Sequence, residues 1–288
     1  MPKLLQYLFY PIILVFALIG SIFLLSILHV DQFVFIPGII VLPLIVIFII
    51  FERKYPYKKG WNKSKGDFET DLLQSFIILP LAGKLSEILL PFLLYFPLVW
   101  MADFFDGNIF GDMGILGVTL ISLLVCEFCY YWMHRISHTN KHLWRLHSIH
   151  HGAERVYWAN SGRFHFIDAF LGSAAYFLPL ILLGTSQEVI VLILTISAIT
   201  GFMEHINIDF NMGSLNYVFN TAQLHRWHHS IIEKESNTNY GKVLIIWDLI
   251  FGTFLFPKNK NVGRVGIKGK TIPVRFMQQF TYPFRRYK

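Results

Sequence analysis

The chain has 288 residues, of which 54% are hydrophobic, 17% aromatic and only 15% charged, with a formal net charge of +7. Together with a mean hydropathy of +0.49, this excludes an ordinary water-soluble globular domain and makes the bilayer the natural solvent. Cys126 and Cys129 share one face of an apolar run, in poor geometry for bridging each other, so no disulfide framework is expected.

Apolar runs long enough to cross a hydrocarbon core, which takes about 20 helical residues, fall at 4–30, 33–51, 72–100, 115–133, 166–184 and 189–204. The first is too long for a signal-peptide core and no small-residue cleavage site follows it, so it is expected to stay as a span. The third is overlong. It carries Pro80, Pro91 and Pro97 and the pair Lys84 and Glu87, and reads as a kinked span or a re-entrant pair.

Of the 25 Lys and Arg, six lie in 53–65, five in 135–163 and twelve from Arg226 onward, leaving Lys3 and Lys84. The connections at 29–32, 103–114 and 184–188 hold none; the middle one carries Asp103, Asp106 and Asp112. With six spans, every basic segment falls on one side, which the positive-inside rule makes cytoplasmic. The charge then suits anionic headgroups, and no nucleic-acid partner is needed.

Seven of the twelve histidines lie in 130–165, directly after the fourth apolar run. Three spacings stand out: H-R-I-S-H at His134 and His138, H-S-I-H-H at His147, His150 and His151, and H-R-W-H-H at His225, His228 and His229. Residues three and four apart share a helix face, so each box aims its imidazoles at one point. The spans at 166–204 form a hairpin between the second and third boxes and return the third to the same membrane face. Eight imidazoles exceed what one ion accepts, and two ions with about four or five nitrogens each is the economical arrangement. Nitrogen-rich sites with room for a small ligand suit iron in oxygen chemistry; the spacing leaves zinc open. A lone histidine is more often structural, and His29 and His142 are read that way.

The three boxes resemble those of the fatty acid hydroxylase / sterol desaturase superfamily, integral-membrane non-haem di-iron oxygenases with H-x(3–4)-H, then H-x-x-H-H, then a later H-x-x-H-H. The likeness covers roughly 116–254 and includes W-D-L-I-F-G-T at 247–253, a context that often follows the last box. It implies an all-α, polytopic membrane bundle with a cytoplasmic helical cap that carries the boxes. The chain divides into an N-terminal membrane region at 1–114, a catalytic domain at 115–256 and a basic cytoplasmic tail at 257–288. Related groups use a ninth histidine from a position like E-H-I-N, which here is His205. His165 is a candidate for a supporting or substrate-facing role. Carboxylates should orient ligating imidazoles through the other ring nitrogen; the candidates are Glu127, on the face of His134, with Glu154, Glu204, Asp168 and Asp248.

The resemblance further implies a pair of irons that use dioxygen to hydroxylate or desaturate a C–H bond of a fatty-acyl or sterol-like lipid. An alkylglycerol-type ether-lipid monooxygenase is the nearest alternative, and a di-zinc membrane hydrolase a more distant one. No flavin, haem or ferredoxin segment is recognisable, so electrons would come from a separate donor: a cytochrome b5-like protein, a ferredoxin-type protein or a pterin. The basic segment 135–163 and the C-terminal tail would suit an acidic redox partner. Either a bacterial inner membrane or the endoplasmic reticulum fits, with the active site facing the cytoplasm. No H-E-x-x-H, G-x-S-x-G, P-loop or dinucleotide fingerprint competes.

Overall fold

The computed structural model describes residues 1–104, 109–258 and 260–285. Asp106, expected in an acidic connection, and the last three residues of the basic C-terminal segment lie outside the described residues. No strand forms among those described; Pro56 with Ile208, Phe219 with Leu244 and Ser230 with Val265 are isolated bridges.

Helices α1 (Lys3–Ile27) and α2 (Ile36–Lys54) make a hairpin through a 3-10 turn at Val30–Phe35. Both are apolar all round. Phe9, Ile13 and Ala17 of α1 and Leu44 and Phe48 of α2 are buried, while Ile12, Phe16, Ile19 and Phe23, with Leu42, Val46 and Ile50, face outward. Exposed side chains of that kind on both helices are what a lipid solvent permits.

The overlong third run resolves into two pieces. Helix α3 (Phe68–Leu73) continues through a π turn at Gln74–Ile78 into α4 (Leu79–Leu93), and a separate short helix, α5 (Tyr95–Phe104), follows. Pro80 has no N–H to return to the preceding turn, and the helix widens into a π turn there without ending. The widened turn is also used: Ser75 Oγ donates to the Ala159 carbonyl at 2.8 Å and accepts from the Gly162 N–H at 3.2 Å.

Helix α6 (Ile115–Thr139) is followed at once by α7 (Lys141–His151), because the side chain of Asn140 caps α7 by accepting from the N–H groups of His142 and Leu143. Then come α8 (Phe166–Leu182) and α9 (Gln187–His205). Helix α9 is the hub: 67% of its most apolar window is buried, against 11% for Phe68–Leu93, and it packs on α1, α2 and α6. The short helices α10 (Ala222–His228), α11 (Glu233–Ser236), α12 (Ile246–Phe251) and α13 (Phe276–Thr281) complete the chain. Among the described residues five helices are long and apolar enough to span a membrane, and α8, with 17 residues, is shorter.

Residues 257–285 do not hang free as a tail. Val262, Val265 and Ile272 interleave with the basic residues and are buried, and the Ile231 N–H donates to the Arg264 carbonyl at 3.0 Å. The basic segment 135–163 is likewise divided. Arg155 and Arg163 are 2% and 1% exposed and pair with Asp67 and Asp71, at 2.6 Å for Arg155 with Asp67 and 3.3 Å for Arg163 with Asp71. These two arginines tie α3 to the loop after α7 and offer nothing to a redox partner, which corrects that part of the sequence expectation.

Candidate metal centre

Nine histidines converge where α6, α7, α9 and α10 meet. His134, His138, His147, His151 and His228 form one group, and His150, His205, His225 and His229 the other; within each, one ring nitrogen per residue lies within 4.8 Å of all the rest. The second box feeds both groups because His147 and His151, four apart, share a face of α7 while His150 turns to its neighbour. Thr221 caps α10, its hydroxyl accepting from the Gln223 N–H, and so aims the third box. His205, the last residue of α9, enters the four-histidine group.

The second nitrogen of most rings is held. His134 Nδ1 donates to the Tyr240 carbonyl at 2.8 Å, His228 Nδ1 to the Thr238 carbonyl at 2.7 Å, His205 Nδ1 to the Gly201 carbonyl at 3.1 Å and His150 Nδ1 to the Arg163 carbonyl at 3.3 Å. His138 Nδ1 meets Asn237 Oδ1 at 3.1 Å, and His147 Nδ1 donates to Asp168 Oδ2 at 2.9 Å. Phe164 stacks on His150 with 4.2 Å between centroids and planes 6° apart. Burial pushes the imidazoles of His150, His151, His225, His228 and His229 well below their usual pKa, and their crowded neighbours add to it. They are therefore neutral at pH 7.

This arrangement fits metal ions and little else. A carbonyl only accepts, so His134 and His228 carry their protons on Nδ1, and their Nε2 atoms are bare lone pairs 3.0 Å apart. His134 Nε2 also stands 3.1 Å from His147 Nε2 and His225 Nε2 3.2 Å from His205 Nε2, while the Nδ1 atoms of His225 and His229 are buried without a partner. Bare lone pairs pressed together repel; a cation between them turns the same contacts into bonds.

The supporting residues differ from expectation in part. Asp168 is the carboxylate that orients a histidine. Glu127, although on the face of His134, turns to accept the Tyr176 hydroxyl and the N–H groups of Lys242, Val243 and Leu244 at 3.1, 2.9 and 3.0 Å; three orphaned amides outcompete a distant ring. Glu154 is an exposed partner of Lys65 at 2.8 Å. Glu204 touches no box histidine, and its buried Oε1 has no partner. His165 caps α8 by accepting from the Ile167 N–H and donates to the Phe280 carbonyl at 3.1 Å, away from both groups. Asp248 acts one link removed: it accepts the Tyr240 and Gly241 N–H groups at 2.9 and 2.8 Å and the Thr253 hydroxyl at 2.6 Å, fixing the carbonyl that holds His134. Burial lifts the Asp248 carboxyl to about 6. The segment 237–241, which supplies three of the orienting acceptors or their anchors, carries no motif and was missed; its closeness to the third box was the available signal.

The fatty acid hydroxylase family model matches residues 119–253. An ornithine lipid hydroxylase of Rhizobium tropici is 34% identical across 97% of this chain and 84% of its own length. The chain belongs to the fatty acid hydroxylase / sterol desaturase superfamily. Other members resemble it over a smaller part: an alkylglycerol monooxygenase of Homo sapiens at 33% identity over 46% of this chain and 29% of its own, and a delta(7)-sterol 5(6)-desaturase of Gibberella zeae at 29% over 48% and 37%. The chain thus spans only about a third of those two relatives. No solved structure matches. As a fatty acid hydroxylase family member the chain is an oxidoreductase, a multi-pass membrane enzyme whose family acts by hydroxylase, monooxygenase and desaturase chemistry.

Proposed function

We propose that the chain is a di-iron, O2-dependent oxygenase that hydroxylates a C–H bond of a membrane lipid, with the site at the cytoplasmic leaflet. The observation that carries this reading is the division of nine histidines into a group of five and a group of four. His134, His138, His147, His151 and His228 would hold one ion, and His150, His205, His225 and His229 the other. Irons bound there supply the reduction of dioxygen and the transfer of one of its atoms to carbon. The balanced reaction is R–H + O2 + 2 e⁻ + 2 H⁺ → R–OH + H2O, and the electrons come from a separate donor, a cytochrome b5-like protein, a ferredoxin-type protein or a pterin.

The number of nitrogens favours a higher-coordinate ion: one group offers five imidazoles, one more than a tetrahedral zinc site takes. The chain's own task is to keep the rings neutral and pre-aimed, to exclude water with Phe164 and Tyr240 packed on them, and to present one carbon of the lipid.

The likeness to alkylglycerol monooxygenases favours a second reading, hydroxylation beside an ether oxygen with release of an aldehyde. Lipid mass spectrometry under labelled dioxygen, comparing cells that make the protein with cells that make His150→Ala, tests both. A lipid gaining one labelled oxygen only with the intact protein supports hydroxylation, a fatty aldehyde supports ether cleavage, and identical unlabelled profiles overturn both. Full activity without oxygen in protein that holds two zinc ions would instead indicate a hydrolase.

A further inference from the structure

With Arg155 and Arg163 committed to Asp67 and Asp71, the basic charge left in segment 135–163 is that of Arg135, Lys141 and Arg145. These flank Trp144 where α6 turns into α7. Lys141 is exposed, Arg135 and Arg145 are half-buried, and no carboxylate occurs in the chain between Glu127 and Glu154. Just after α11, Asn237 meets His138; on that helix Glu235 is turned to the Ser230 hydroxyl, and the exposed Glu233 stands beside the equally exposed Lys234. The surface around Trp144 is therefore cationic.

Eight of the nine converging imidazoles are buried, and the ninth, His138, is half-buried with Trp144 packed on it. A protein partner cannot reach the ligands directly; it can reach what covers them. Spacings of three and seven put Trp144 on the face of α7 that carries His147 and His151, and its ring stands 5.1 Å from His138, 5.5 Å from His151 and 6.3 Å from His147, centroid to centroid. Among the described residues the other rings that border the box histidines are Tyr130, Phe164 and Tyr240. Tyr240 touches three of them but is 2% exposed, Phe164 touches His147 and His150, and Tyr130 touches His134. Trp144 touches three and keeps an accessible edge. Its exposed chain neighbours Asn140, Lys141 and His142 are polar, so that edge opens toward water.

We propose that Trp144 is the port through which electrons reach the five-histidine group, and that an acidic one-electron carrier protein docks over it on Lys141 and Arg135. Electron tunnelling weakens steeply with distance and with every gap between atoms, and a ring packed on three ligands gives the shortest gap-free route from the surface. Tryptophan and arginine are also the side chains that most often anchor a protein partner, and the cations steer an acidic one into place. At each of two encounters the carrier gives up one electron and is oxidised as the ion held by His134, His138, His147, His151 and His228 is reduced. No bond forms or breaks at Trp144, and no proton moves there. This assignment rests on the oxygenase reading; docking of the carrier does not require lipid to be oxidised.

The test uses full-length protein in lipid nanodiscs, iron-loaded and metal-free, with two probes: an acidic [2Fe–2S] ferredoxin and the acidic soluble haem domain of a cytochrome b5. Binding is titrated, stopped-flow absorbance follows oxidation of the reduced carrier, and lipid oxygenation is read separately. The proteins compared are the wild type, Trp144→Leu, Trp144→Phe, Lys141→Glu and Lys59→Glu, each checked for metal content and melting temperature. Lys141→Glu should weaken binding of a carrier by about tenfold with or without metal, and less so as salt is added; Lys59→Glu, on the other basic segment, should not. Trp144→Leu should bind the carrier yet slow its oxidation at saturation severalfold, while Trp144→Phe, with a ring still in place, retains most of the rate. Dithionite should reduce every variant fully. Carrier oxidation as fast in Trp144→Leu as in the wild type, weaker binding in Lys59→Glu but not in Lys141→Glu, or no binding of either carrier to the wild type overturns the proposal. Should Trp144→Leu lose its metals, Lys141→Glu decides, because its binding is also read without metal. If carrier oxidation depends on Trp144 but no lipid gains oxygen, the port stands and the oxygenase reading falls. If lipid is oxygenated while carrier oxidation ignores both Trp144 and Lys141, the reverse holds.

Discussion

His134 on α6 and His228 on α10 face each other through bare Nε2 atoms 3.0 Å apart, each ring fixed by an Nδ1–H donated to a backbone carbonyl, of Tyr240 and of Thr238. The fold holds two lone pairs where only a cation makes their closeness favourable. Metal removal should therefore destabilise the protein and not merely silence it. Ligand bound at 100 times its dissociation constant adds about 2.7 kcal/mol, so exhaustive chelation should lower the melting temperature by several degrees and added ferrous iron should restore it. An unchanged melting curve would mean that the rings are content without an ion.

Asp168 is placed to raise the basicity of His147 and to fix its tautomer. Asp168→Asn keeps the shape and removes the charge. Loss of such a partner typically weakens metal binding by about 10- to 100-fold, which a competition titration against a chelator would register. The corresponding change at Glu154, Glu154→Gln, at an exposed residue paired with Lys65, should leave affinity unchanged.

Acid should act on the metal-free protein through its histidines. Burial holds His150, His151, His225, His228 and His229 far below the ordinary imidazole value, which is about 6.5 in an unfolded chain. Below that pH the unfolded state takes up protons that the folded state refuses, so folding stability is fully present above about pH 6.5 and declines as the pH falls further. Thermal unfolding of the apo-protein should show a clear drop in melting temperature from pH 7.5 to pH 5.5. A flat or rising profile would contradict the burial of neutral rings.

Glu127 and Asp248 clamp the segment 240–244 from two sides. Glu127→Ala strands three N–H groups and a hydroxyl, and at about 1–3 kcal/mol for each orphaned group it should cost at least about 3 kcal/mol and loosen His134. Gly241→Ala should be comparably harmful, because a Cβ there would stand 2.2 Å from the Leu244 carbonyl oxygen, a backbone atom that cannot step aside. Unfolding and metal content measured together check both, and a stable, metal-replete Gly241→Ala protein would show that the segment is free to move.

Much of the centre was legible because helical periodicity is local. The i, i+3 and i, i+4 spacing of the boxes fixes which rings share a face, and hydropathy fixes the spans between them. What periodicity cannot show is where a carboxylate turns when better partners are near. Glu127 left His134 for three amides, and Glu204 and Lys242 become charged neighbours only when α9 meets the loop before α12. The division of the boxes between two groups, with His150 apart from His147 and His151 and His228 apart from His225 and His229, appears only once the helices are packed together. Arg155 and Arg163 read as surface charge in the sequence because Asp67 and Asp71, which bury them, lie far away in the chain.

The central claim is that two ions share nine imidazoles, and the most direct test is the metal content of the full-length protein purified from iron-replete cells. The account predicts two irons per chain, falling when any one of His151, His228, His225 or His229 is changed to Ala. One ion per chain, none, or zinc in place of iron would contradict it.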